Sequence, residues 1–333
     1  MKKLLVTVLI LLMVLVPFTG CAGGGEEVGQ DPSNSMGAPV SNESESENAG
    51  ETRGTFGYIF SSLNNPIFVH MKNVMEDECK TLDINMVYLD SQDDVATELS
   101  NMEDMISREV DAIGITCCDA EGSVAALKLA NKANIPIITV DRFMEGADIT
   151  AQLATDNVKG GICAGENAVE GLGQKGNVVI LRGLFGLSLE GERYNGFMEV
   201  INQYPDIEIV AEQAGDFERE KGFTAMENIL QAKDEIDLVY ALNDEMAIGA
   251  CKAIEAAGRQ KEGIKVIGYD GSPDGMEYVN NGQMWGLVFQ QFDVIGRGAV
   301  QTVSNLLDGK EVEKIQAYDV VFCTKENYDE LKF

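Results

Sequence analysis

Histidine is nearly absent from this 333-residue chain: His70 is the only one. That scarcity removes redundant Ser-His-Asp chemistry, His-rich metal sites and His–His proton relays. Basic residues are scarce too, 25 Lys and Arg against 55 Asp and Glu, for a formal charge of −30. Nucleic acid and anionic membrane surfaces both need a basic face, so this composition argues against either as the main partner. No C-x-x-C pair occurs among the seven cysteines, and with one histidine this speaks against a zinc or other metal site. Hydrophobic residues make up 45% of the chain, a normal share for a globular protein, so the acidity is no mark of global disorder. The length exceeds one ordinary domain and suits about two.

At the N-terminus, Lys2 and Lys3 precede an apolar run from Leu4 to Phe18, followed by Thr19-Gly20-Cys21. The run is shorter than the roughly 20 residues of a spanning helix and reads as a secretory signal over residues 1–20. The small residues before Cys21 resemble a bacterial lipobox, which implies cleavage there and acylation of the thiol; plain secretion with an incidental cysteine is the alternative. Residues 22–51 hold Glu26, Glu27, Asp31, Glu43, Glu45, Glu47 and Glu51 and no Lys or Arg. With Cys21 they read as a lipidated acidic tether over residues 21–52, extended by self-repulsion, that holds a folded body to the lipid bilayer outside the cell.

From Thr55 onward short apolar runs alternate with helical spacing. Strands are expected at Thr55–Phe60, Ile84–Asp90, Ala112–Cys117, Pro136–Asp141, Asn177–Gly183, Ile207–Ala214, Leu238–Asn243, Ile264–Asp270 and Trp285–Gln290. Pro66 opens a helix with Met71, Val74, Met75 and Leu82 on its apolar face. A helix at Asn157–Leu172 places Val158, Ile162, Val169 and Leu172 on one stripe. Near-continuous apolar strands between amphipathic helices indicate an α/β protein with two doubly wound parallel-sheet lobes. Ligands of such sheets bind beyond the carboxyl ends of the strands.

Those ends carry Asn64-Asn65, Asp90, Asp141-Arg142, Asn243-Asp244, Asp270 and Gln290, with Arg193 and Phe217 in or beside loops of the second half. Asp and Asn in such places often only cap the next helix, a reading that is strong for Asp90 and Asp244. Asp141–Arg142 and Arg193–Asp270 read either as structural ion pairs or as ligand contacts. Two aspartates and two arginines cancel in formal charge, amides both donate and accept, and Phe68 and Phe217 offer flat faces. That mixture suits a neutral polyhydroxylated ring, a sugar or polyol.

The stretches Ser61-Ser62-Leu63-Asn64-Asn65-Pro66, Leu89-Asp90-Ser91-Gln92, Thr139-Val140-Asp141-Arg142, Asn243-Asp244-Glu245-Met246-Ala247 and Gly268-Tyr269-Asp270-Gly271 resemble the ribose-type periplasmic sugar-binding proteins. The resemblance runs from about Gly54 to the C-terminus. It implies a type I periplasmic binding protein, two lobes joined by a multi-strand hinge that close on a monosaccharide and deliver it to the permease subunits of an ABC importer. A sugar sensor that presents its ligand to a chemoreceptor or receptor kinase is the alternative. Residues 53–155 plus 291–319 would form the N-terminal lobe, and 156–290 plus 320–333 the C-terminal lobe. By motif, the resemblance implies ligand contacts from Asn65, Phe68, Asp141, Arg142, Arg193, Phe217, Asn243, Asp270 and Gln290, in a monomer without cofactor or catalytic residue. Ile67 replaces an aromatic of the ribose binders, which reshapes the floor and leaves the sugar open.

Other signals are weaker. Gly171-Leu172-Gly173-Gln174-Lys175-Gly176 matches G-x-G-x-x-G but falls between a helix and the next strand, the reverse of a dinucleotide loop. Cys79, Cys117, Cys118, Cys163, Cys251 and Cys323 sit mostly in apolar settings; either they stay reduced in an anaerobe, or a disulfide exists that spacing does not reveal. Asp141 and Asp270 as a glycosidase pair fit poorly, because an arginine near each holds it ionised. A sugar-responsive repressor would need an N-terminal DNA-binding module where this chain has a leader and a tether.

Overall fold

The computed structural model describes residues 52–331. The leader, Cys21 and the tether through residue 51 lie outside the described residues. The chain begins with β1 (Gly54–Phe60), α1 (Pro66–Thr81), β2 (Ile84–Asp90), α2 (Val95–Ser107), β3 (Ala112–Ile115), α3 (Val124–Ala133), β4 (Ile137–Val140) and β5 (Ala151–Thr155). It continues with α4 (Asn157–Leu172), β6 (Gly176–Arg182), α5 (Ser188–Ile201), β7 (Ile207–Ala214), α6 (Arg219–Ala232), β8 (Leu238–Ala241), α7 (Asp244–Ala256), β9 (Lys265–Asp270), α8 (Pro273–Asn280) and β10 (Gly286–Gln290). Last come α9 (Phe292–Leu307), β11 (Ile315–Tyr318), β12 (Val320–Thr324) and α10 (Tyr328–Leu331).

The strands form two six-stranded sheets, ordered β2-β1-β3-β4-β5-β11 and β7-β6-β8-β9-β10-β12. Every pairing is parallel except β10 with β12, which is antiparallel. Both sheets reverse winding at their second strand, so each lobe has a switch-point crevice at its carboxyl edge. The central strands β3, β4, β8 and β10 are buried throughout, as strands covered by helices on both faces must be. One apolar cluster fills each face of the first sheet, Phe56, Met71, Phe292 and Val300 on one side and Ile59, Met102, Ile113 and Leu127 on the other. A single larger cluster around Val179, Tyr240 and Ile267 fills the second lobe.

Three connections cross between the lobes, at β5 to α4, β10 to α9 and β11 to β12. Two of them are tied together, because the Gln291 side-chain amide donates to the Asp319 carbonyl at 3.0 Å.

Three strands lie where the apolar pattern marks none: β5, β11 and β12. All three are short, β5 and β11 are of mixed polarity, and β11 and β12 hold the sheet edges, where one side needs no apolar cover. The α4 stripe also differs from expectation. Its buried face is Asn157, Gly160, Gly161, Ala164, Gly165, Ala168 and Val169, while Val158 is exposed. Small residues win because α5 runs so close: a Cβ on Gly161 would lie 2.2 Å from the Arg193 carbonyl oxygen. The G-x-G-x-x-G stretch is a helix-ending turn, with Gly173 left-handed at φ 63° and its N–H donating to the Val169 and Glu170 carbonyls.

Candidate functional site

One cleft between the lobes, about 640 Å³, is lined by Asn65, Ile67, Phe68, Asp141, Arg142, Arg193, Phe217, Asn243 and Asp270 together. Ser62, Asn64, Gln92, Asp93 and Phe292 add to its first-lobe wall, and Leu184, Leu187, Leu189, residues 216–221 and Glu245 to its second-lobe wall. The volume falls within the range of small-molecule sites.

On the first lobe, Asn65 caps α1: its Oδ1 accepts from the Ile67 N–H at 3.2 Å, and Pro66 follows as the first helical residue. The cap turns Ile67 and Phe68 inward, both buried, with Phe68 edge-on to Phe292 at 6.3 Å between centroids. Asp141 follows β4 with φ 72°, its N–H donating to the Leu153 carbonyl at 2.8 Å. Its Oδ2 lies 3.6 Å from Arg142 Nε. Burial raises the Asp141 carboxyl above its usual range, partly offset by Arg142 and Arg193. Arg142 Nη1 donates to the Cys117 carbonyl and, at 3.5 Å, to that of Cys118.

On the second lobe, Arg193 rises from α5. Its Nε donates to Asn157 Oδ1 at 2.9 Å, and its Nη1 donates to the Leu242 carbonyl at 2.7 Å and to Asp270 Oδ1 at 3.3 Å. Its guanidinium stacks 3.7 Å over the Tyr269 ring. Asp270 ends β9 with φ 115° and also accepts from Gln290 Nε2 at 2.9 Å. Burial, only partly offset by Arg193, pushes its carboxyl up to about 7, so for Asp270 as for Asp141 burial outweighs the arginine expected to hold it ionised. Asn243 caps α7 through Met246 N–H at 3.0 Å, and its amide donates to the Phe217 carbonyl at 3.1 Å. That bond holds the turn in which Asp216 and Phe217 have φ 50° and 63°.

Asp141, Phe217 and Asp270 thus all sit in the left-handed region, at roughly 1–3 kcal/mol each for residues with side chains. Such cost gathered around one cleft, on both of its walls, marks a site rather than a scaffold. Both anticipated ion pairs form, and their residues also face the cleft, so the structural and ligand-contact readings coexist.

Gln290 does not line the cleft; it stands behind Asp270, and its Oε1 is buried without a partner. Asp90 and Asp244 are not the helix caps they resemble. Asp94 and Asn243 cap those helices. Asp90 accepts from the Leu63 and Gln92 N–H groups, and buried Asp244 accepts from Gly271 N, Ser272 N and Ser272 Oγ at 2.7–2.9 Å. Each therefore fixes a loop that carries cleft residues. The charge balance holds only for the inner quartet: with Asp93, Asp216, Glu218, Arg219, Glu220, Lys221 and Glu245, seven acids face four bases across the whole wall. That excess disfavours anionic ligands. Asn157, which orients Arg193, escapes sequence reasoning because it follows β5, a strand the apolar pattern does not mark, and the three leucines escape it because apolar side chains give no polar strand-end signal. The six described cysteines are free thiols.

The periplasmic binding protein domain profile matches residues 56–311. The ribose import binding protein RbsB of Escherichia coli K12 is 36% identical over 274 residues, covering 82% of this chain and 92% of that protein. A solute-binding protein of an ABC transporter from Actinobacillus succinogenes, solved with D-allose, superposes with a TM-score of 0.79 at 31% identity, covering 83% of this chain and 99% of its own. Another from Bacillus halodurans, solved with myo-inositol, gives a TM-score of 0.79 at 30% identity, with 84% and 97% covered. With two parallel-sheet lobes, a cleft at their carboxyl edges and a matched profile over most of its length, this chain belongs to the periplasmic binding protein domain family.

Proposed function

We propose that this protein captures a neutral monosaccharide or polyol between its two lobes and delivers it to an ABC importer. It does so as a monomer outside the cell membrane, anchored through acylated Cys21. The observation that carries the reading is the pairing of acid and arginine on both cleft walls, Asp141 with Arg142 and Asp270 with Arg193, beside the ring faces of Phe68 and Phe217. Carboxylates accept from ring hydroxyls, guanidiniums donate to them, and aromatic faces cover C–H surfaces. The relatives solved with D-allose and myo-inositol support this class of ligand. Because each wall holds half of the contacts, a bound ring favours the closed arrangement over an open one and shifts the population toward it. Ile67 sets an aliphatic floor, and Leu187 and Leu189 are buried in the facing wall, so the ring edge between them is its less hydroxylated one.

A thermal-shift screen over D-ribose, D-allose, xylitol and myo-inositol tests the class, since a ligand that binds only the native state raises the melting temperature. At least one is expected to do so. Asp270→Ala should weaken that binding tenfold or more by calorimetry. No shift from any pentose, hexose or polyol overturns the class.

A further inference from the structure

Glu98 lies on α2, is fully buried, and forms no ion pair among the described residues. A buried carboxylate without a cation is costly, so its partners matter. Its Oε2 accepts from the Cys118 N–H at 2.7 Å, and its Oε1 is buried with no partner. The Cys118 N–H and the Cys117 carbonyl belong to one peptide group, and that carbonyl accepts from Arg142 Nη1. In a trans peptide these two groups point to opposite sides. A carboxylate on one side and a guanidinium on the other polarise the same amide in the same sense, each strengthening the bond the other makes.

We propose that Glu98 is a positioning residue for Arg142: it fixes the Cys117–Cys118 peptide, whose carbonyl in turn holds the guanidinium against the cleft. Glu98 is absent from the cleft wall. Arg142 needs such a rest, because its Nε has no hydrogen-bond partner and its separation from Asp141 is 3.6 Å. On the other lobe Asn157 does the comparable task for Arg193 directly, through its Oδ1. The affinity arm of the test rests on the sugar-binding reading above; the spectroscopic arm does not.

The test compares Glu98→Gln, Glu98→Ala and Met102→Ala. Met102 is a fully buried core residue of the same helix, away from the cleft. The first readout is the Arg142 Nε–H resonance of 15N-labelled protein, identified by its loss in Arg142→Lys. The second is affinity for D-ribose, D-allose and myo-inositol, with melting temperature recorded for each variant. Glu98→Gln keeps an oxygen for the Cys118 N–H and should retain the resonance and an affinity within about threefold. Glu98→Ala leaves that N–H buried and unpaired, and should move or broaden the resonance and weaken binding by about tenfold. Met102→Ala should lower the melting temperature and leave both readouts unchanged.

An unmoved Arg142 resonance in Glu98→Ala overturns the proposal. So does a glutamine variant as impaired as the alanine one, or equal loss of affinity in Met102→Ala. If the wild-type protein binds none of the three probes, the class of ligand fails while the resonance still decides the role of Glu98.

Discussion

Replacing Gly161 by alanine tests how the second arginine is held. The added Cβ would sit 2.2 Å from the Arg193 carbonyl oxygen and 2.9 Å from the Phe197 nitrogen, whereas ordinary contact begins near 3.4 Å. Both obstacles are backbone, so α4 and α5 must part by about 1 Å. Overpacking of this kind costs about 1–3 kcal/mol, against a helix-propensity gain of about 1 kcal/mol for losing a glycine. The net expectation is a destabilisation of up to about 2 kcal/mol. Affinity should suffer more than stability. The shift moves Arg193 from an Nη1–Asp270 separation of 3.3 Å toward the limit of an ion pair. A charge-assisted bond is worth about 1.5–3 kcal/mol, tenfold or more in Kd. Gly191 supplies the control: it lies on α5, yet a Cβ there would meet nothing within 4 Å. Gly191→Ala should therefore stabilise by about 0.4–1 kcal/mol and leave affinity unchanged. Urea unfolding with an unchanged m-value gives the stabilities, and calorimetry with D-ribose and D-allose gives the affinities. If both glycine variants shift stability in the same direction, or Gly161→Ala binds like wild type, the close-packing account of Arg193 is wrong.

Two further outcomes follow from the buried titratable groups. Because the folded state raises the Asp270 carboxyl from 3.8 to about 7, its contribution to stability is complete below pH 4 and lost as pH rises through 7. Asp270→Asn should flatten that fall, and identical pH–stability curves for the two proteins would refute it. Burial also raises every described thiol, Cys163 and Cys323 to about 11 and Cys79 and Cys251 to about 12. Iodoacetamide at pH 8 should thus label the native body slowly, half-buried Cys163 first, as read by mass spectrometry; fast labelling at Cys117 or Cys118 contradicts their burial.

The parts of this molecule that sequence made legible are those with a strong one-dimensional signal. Central strands such as Val178–Leu181 and Val239–Ala241 are apolar without interruption because helices cover both faces. Asp141, Asn243 and Asp270 were found because the carboxyl-edge rule ties function to position along the chain. Edge strand β11 is not legible, since a half-exposed strand carries a diluted pattern, and the apolar run of β12 is too short to be told from a buried helix segment. The buried face of α4 departs from its apolar stripe because hydrophobic periodicity gives no weight to Gly161 and Gly165, whose role is defined by another helix. Asp90, Asp244 and Glu98 act on N–H groups 20 to 28 residues away in sequence. No local pattern encodes such pairings.

The last two strands have a consequence for the order in which the molecule forms. Until residues 315–324 are in place, β5 and β10 are open edges, one in each lobe. Open edges are templates for pairing with other chains. Neither lobe is a contiguous stretch of sequence, so neither sheet is complete before residues 315–324 are in place, and both are closed by contacts of long sequence separation. Ten residues, 315–324, therefore cover one edge strand in each lobe, so a single short segment guards both sheets against pairing with other chains even though their cores are separate.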